Sequence, residues 1–149
     1  MSRRIPIVTR LALTTALAVV VSLALAQSPV GAWKGVMRME VPKGVTIPKE
    51  HKAQVERAKA AFAKAKLTLV FKADKTYEST IKNGPDGKDH VASGTWNQTG
   101  LTITLNPLKR DGKVATGEGA KDQVLAISKD GKKLRRNLQQ GVVAEYSKG

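Results

Sequence analysis

The chain has 149 residues, 26 of them lysine or arginine against 12 aspartate or glutamate, for a formal net charge of +14 at pH 7. It contains no cysteine, which excludes structural disulfides, thiolate metal sites and a lipidated-cysteine anchor. The length bounds the chain to one ordinary domain, and the excess of positive charge predicts attraction to anionic surfaces without any dedicated site.

Residues 1–26 read as a segment separate from that domain. Arg3, Arg4 and Arg10 precede or open an uncharged run from Leu11 to Leu25, which Ala24-Leu25-Ala26 closes in small-residue form. This is the pattern of a secretory signal peptide with cleavage between Ala26 and Gln27. The run is shorter than the ~20 residues a membrane-spanning helix needs, which argues against a retained anchor. Ser2-Arg3-Arg4 also suggests the twin-arginine route, although Pro6 and Ile7 stand where that motif usually carries Phe and Leu. The remainder, 27–149, is expected to be an extracytoplasmic domain, periplasmic or secreted, and a monomer.

Val30 to Val41 alternates, with Trp33, Met37, Met39 and Val41 on one side and Lys34, Arg38 and Glu40 on the other, as in a strand with one wet face. Pro42, Gly44 and Pro48 end that pattern. From Lys49 to Lys66, Val55, Ala58, Phe62 and Ala65 recur at helical spacing and give a thin apolar stripe, so an amphipathic helix lying on another element is expected. The period then returns to two: Leu67, Leu69 and Phe71 share a face, "KADK" turns the chain, and Tyr77, Ser79 and Ile81 share the next. A strand through Val91 to Trp96 leads to a tight turn over Asn97 to Gly100, and Leu101, Ile103 and Leu105 then face inward. Asn106 to Gln123 reads as a long hairpin loop around one weak strand. Strands at Gln123 to Ser128, Lys132 to Leu138 and Val142 to Ser147 complete the chain. About seven or eight short antiparallel strands in this rhythm predict an all-β fold, an up-and-down barrel with one helix inserted between strands 1 and 2.

Three stretches carry a resemblance: Gly31-Ala32-Trp33 in the first strand, "LTLVFKADKTYES", and "GTWNQTGLTITL". On these the chain resembles the secreted lipocalin-like families of the calycin group, at the level of architecture and across the whole domain. It departs from the classical pattern in having no T-D-x-x-Y segment, no cysteine pair and no C-terminal helix. The inserted helix is similar to the lid helices of fatty-acid-binding proteins. The resemblance implies that the first-strand tryptophan closes one end of the barrel against a basic residue of a late strand, here Arg135 or Arg136. A large indole filling the taper of a small barrel gives both tryptophans the same structural role on physical grounds.

Catalytic chemistry finds little support. His51 and His90 are the only histidines and lack metal-ligand spacing; Asp74, Asp86, Asp111 and Asp130 fall in turns, where carboxylates cap backbone amides. No serine has a nucleophile-elbow context, and "DGKVATGEG" fits neither a phosphate loop nor a calcium loop. No enzyme activity, cofactor or metal is expected. In Lys132-Lys133-Leu134-Arg135-Arg136 the charges divide between two faces of a strand, which suits a solvated edge; alternatively Arg136 points inward at a ligand carboxylate or phosphate. Nucleic acid is not expected as a partner, since the few aromatic residues form no stacking platform.

The sequence therefore predicts a lipocalin-like protein that binds a small apolar or amphipathic molecule inside its barrel, lined by Met37, Leu69, Phe71, Tyr77, Ile81, Ile103 and Ile127, with Arg136 as the anionic contact. The alternative is a filled basic barrel that docks on an anionic envelope polymer, membrane surface or protein partner. The two differ in whether the interior is hollow and in how steeply binding falls with salt.

Overall fold

The structure, a computed structural model, describes residues 27–138 and 141–149; the expected leader, 1–26, lies outside them. In chain order the elements are β1 (Gly31–Met39), α1 (Lys49–Lys64), β2 (Lys66–Phe71), β3 (Thr76–Lys82), β4 (His90–Thr99), β5 (Thr102–Arg110), β6 (Lys113–Val114), β7 (Gln123–Ile127), β8 (Lys133–Asn137) and β9 (Val142–Lys148). All but β6 form one closed, antiparallel, eight-stranded up-and-down barrel. Its closure comes from β1, which pairs with β2 on one side and with β9 on the other, and from the pairing of β4 with β5. The two-residue β6 only extends a hairpin at the end of β5.

Alternation explains the strands. In β2, Leu67, Leu69 and Phe71 are buried between exposed Lys66 and Thr68, and the same period places Ile103 and Leu105 of β5 and Leu125 and Ile127 of β7 in the core. The turns follow the short polar residues. Asp74 accepts from the Thr76 amide at 3.0 Å, Asp86 from the Lys88 amide at 3.0 Å, and Asp130 from the Lys132 amide at 3.0 Å. The helix bears the expected stripe: Val55, Ala58 and Phe62 are half-buried, Ala65 beyond its C-terminus is buried, and Phe62 packs against the barrel core.

Two segments differ from the sequence reading. β4 does not turn at Asn97 but runs to Thr99, pairing Asn97 with Thr104 and Thr99 with Thr102. The reversal is made by Gly100, at φ +59°, and Leu101, which is 40% exposed and does not join Ile103 and Leu105 inside. The second is the expected loop from Asn106. β5 instead continues to Arg110, and the chain returns through β6 and a short 3-10 turn at Gly117–Ala120. A bulge between Ser93 and Gly94 lets the β4–β5 pairing extend past Pro107 to Ala92 and Arg110.

Both tryptophans seal one end of the barrel. Trp33 is fully buried and its indole N–H donates to the Pro29 carbonyl at 2.7 Å. Trp96 donates to the Lys72 carbonyl at 3.1 Å and receives the edge of Phe71 at 5.4 Å between centroids. The basic residue over the Trp33 ring is neither Arg135 nor Arg136 but Lys148, whose Nζ lies 5.5 Å from the centroid. Register explains the difference: Trp33 pairs with Lys148 at the end of β9, whereas Arg135 points outward, to Glu40 at 2.8 Å and Glu145 at 3.2 Å. Arg136 faces inward in the other half of the barrel.

Candidate functional site

The expected binding residues divide between the two halves. Leu69, Phe71, Ile103 and Ile127 are at most 3% exposed and belong to the packed half beneath the tryptophans. Met37, Ile81 and Arg136 instead line a cavity of about 180 Å³ at the open end. Ala144 and Leu138 add to its apolar side; Ser79, Gln123, Arg110, His90 and Tyr146 make the rest polar. Tyr77 is buried beside this group, close enough to Arg136 that each alters the other's ionisation.

Strand period and register build the site. Arg136 pairs with Ala144, two residues from inward-facing Leu134, so alternation sends its side chain into the barrel. Tyr146, two residues after Ala144, is buried on the same face. Gly35 makes room for its ring: a Cβ at Gly35 would stand 2.6 Å from the Tyr146 Cδ1 and 2.6 Å from the Glu145 carbonyl. Arg110 arrives through the bulged end of β5, opposite Ala92.

Charge in this cavity has one sign. Among the described residues Arg136 has neither an ion-pair partner nor a hydrogen bond, and burial is the main cause that lowers its pKa; Arg110 lowers it further. A guanidinium stays protonated regardless, so the shift expresses the cost of holding that charge away from water. The Tyr77 hydroxyl is buried without a hydrogen-bond partner among the described residues, and burial pushes its pKa up to about 12. Burial raises Tyr146 as well. Both phenols therefore keep their protons near neutral pH. The site presents a guanidinium fork and phenolic hydroxyls, groups that donate hydrogen bonds.

At the rim, His90 holds two turns together. Its Nε2 lies 2.7 Å from Asp86 Oδ2 and its Nδ1 3.0 Å from Asp111 Oδ2, while Asp111 Oδ1 accepts the Val91 amide at 2.9 Å. Two carboxylates can both accept only from a doubly protonated imidazolium, and hydrogen bonds first to Asp111 and then to Asp86 raise the His90 pKa. Asp86 is lowered chiefly by the Lys88 amide and Asp111 chiefly by His90. The signs fix a window. The histidine's contribution is complete below its unfolded pKa of ~6.5 and is lost as pH rises through the raised folded value; the carboxylates' contributions are present above ~4 and lost on acidification. Imidazole resonances followed by NMR are expected to show His90 titrating above the ordinary histidine value of ~6.5, and His90→Ala is expected to remove the loss of stability that sets in as pH rises above it. A His90 pKa at or below ~6.5 would refute the clamp.

Arg136 was legible from alternation alone. Tyr146 carried the same signal in the last strand. Arg110 was hidden by the expected loop from Asn106, and the His90 clamp by separation, since Asp111 lies 21 residues away. Among the described residues no group of three or more His, Cys, Asp or Glu is placed to hold a metal ion, and no helix is long and apolar enough to cross a membrane. Comparison with known proteins gives no match: no family model, no curated protein and no solved structure matches this chain.

Proposed function

We propose that this protein is an extracytoplasmic, lipocalin-like carrier of a small amphipathic anion, bound in the open half of its barrel. The ligand's apolar part lies against Met37, Ile81, Leu138 and Ala144, and its charged group on Arg136. One observation carries the reading: an inward, half-buried guanidinium without an acceptor among the described residues, beside a buried phenolic hydroxyl without a partner. Burying such groups costs free energy, and an acceptor that pairs with them offsets the cost. The cavity of about 180 Å³ limits the enclosed part to a ring or a short branched chain, since a cavity of ~150 Å³ holds one benzene.

The second reading, docking on an anionic polymer or membrane face, draws support from the excess of lysine and arginine over acidic residues, which persists without residues 1–26. Against it, the arginines on the outer face of β1 and β8 are already engaged, Arg38 with Glu145 at 3.6 Å and Arg135 with Glu40 at 2.8 Å.

Native mass spectrometry of the protein purified from its own host tests the reading. The expected result is a chain beginning at Gln27 with a discrete small adduct that leaves on denaturation. A ligand-free mass, together with salt-sensitive binding to polyanions, would favour surface docking; a mass retaining residues 1–26 would overturn the export reading.

A further inference from the structure

The barrel wall has one incomplete seam. β7 and β8 join through only two pairs, Ala126 with Arg135 and Ile127 with Leu134, although both strands continue beyond them, β7 back to Gln123 and β8 on to Asn137. The direction of the backbone groups follows from neighbouring bonds. Ile127 donates to the Leu101 carbonyl on the β5 side at 2.9 Å, whereas Ser128 donates to the Lys133 carbonyl on the β8 side at 2.9 Å. Since alternate residues of an antiparallel strand bond to opposite neighbours, Ala126 and Val124 direct their N–H and C=O towards β8. On β8, Leu138 donates to Val142 of β9 at 2.7 Å, so Asn137 directs its groups towards β7. Val124 and Asn137 are the next hydrogen-bonding pair in register, two residues beyond Ala126 and Arg135, and that pair does not form.

Gln123 and Arg136 line both the internal cavity and an external groove of about 410 Å³, whose walls include Val124, Ala126 and Asn137. Each lip offers one backbone donor and one backbone acceptor, as for an extended residue of another molecule. Arg136 stands at the inner edge with its guanidinium, and Asp122 on the groove disfavours a second negative charge.

We infer that the ligand is a monoanion carrying a secondary amide beside its carboxylate, with the carboxylate on Arg136, a side chain in the cavity, and the amide N–H and C=O bonded to Val124 and Asn137 across the seam. An N-acylated amino acid and the carboxyl end of a peptide share this chemistry. The inference rests on the anion site proposed above and adds to it the amide and the seam.

Calorimetric titration separates the two. N-acetyl-leucine is expected to bind about 10-fold more tightly than 4-methylpentanoate, which keeps the carboxylate and the branched chain but lacks the amide, the equivalent of one or two net hydrogen bonds. N-acetyl-N-methyl-leucine, without the amide donor, is expected to lose most of that advantage. Val124→Pro removes the corresponding donor from the protein without touching the β5–β7 pairing, and is expected to narrow the preference for N-acetyl-leucine over 4-methylpentanoate. Should the native protein bind both acids equally, the seam has no part in recognition and the inference falls while the anion site stands. If it binds neither acid, the carrier reading falls and takes this inference with it. Tighter binding of acetyl-Ala-Ala-Leu than of N-acetyl-leucine would assign the site to a peptide end, and weaker binding to a free acylated amino acid; both results support the shared chemistry.

Discussion

Gly94→Ala is expected to destabilise the barrel by about 3–5 kcal/mol, a large share of the ~5–15 kcal/mol that holds a domain of this size together. A Cβ at Gly94 would lie 1.9 Å from the Asn106 carbonyl oxygen, 2.9 Å from the Asn106 carbonyl carbon and 3.0 Å from the Leu108 nitrogen. All three are backbone atoms held in the β4–β5 ladder, so no side-chain rotation relieves the overlap; the two strands must separate or slide. The bulge at Ser93 and Gly94 is also what brings Arg110 to the open end, so the cost reaches the site. Urea unfolding followed by tryptophan fluorescence reads the effect. Gly119→Ala is the control, because its nearest atom is the Arg110 Cδ at 3.6 Å, an ordinary contact. A Gly94→Ala midpoint equal to that of the control would mean that the bulge is not tight.

Arg136→Leu is expected to move stability and binding in opposite directions. Removing an unpaired charge from the barrel interior and replacing it with an apolar side chain eliminates the desolvation cost, and a gain of about 1–2 kcal/mol is expected. The same change deletes the donors proposed to hold the ligand, and affinity for a small carboxylate is expected to fall by two orders of magnitude or more, as when one partner of a buried, hydrogen-bonded charge pair is truncated. Arg136→Lys distinguishes charge from geometry: it keeps the charge but loses the planar fork, and its affinity is expected to lie between the two. The checks are thermal unfolding without ligand and titration with N-acetyl-leucine. A less stable Arg136→Leu protein would show that the guanidinium already has a partner inside the barrel, and undiminished affinity would remove it from the site.

The barrel was legible because its code is local. Alternation of Leu67, Leu69 and Phe71, or of Leu134 and Arg136, depends only on the pleat, and the turns depend on single residues such as Asp74 and Asp130 that cap their own backbone. What escaped depends on register between distant strands. Lys148 meets Trp33 because β9 closes against β1, and nothing within either strand specifies that offset. The inward set was identified as a set, but alternation does not say at what height each side chain lies along the barrel axis. The division between a packed floor and a small polar chamber therefore had to come from the structure. The open seam was hidden for the same reason, since β7 and β8 look no less strand-like than their neighbours.

The pairing of β1 with β9 also sets an order of events during synthesis. β1 emerges early and finds β2 soon after, but its other flank stays bare until β9, roughly a hundred residues later, has been made. Until then the sheet is an open ribbon with two raw edges, able to recruit strands from other copies. The structure therefore cannot lock before its last strand arrives. Once β9 is in place both edges disappear together, and the passage from adhesive ribbon to closed cylinder becomes a single late step.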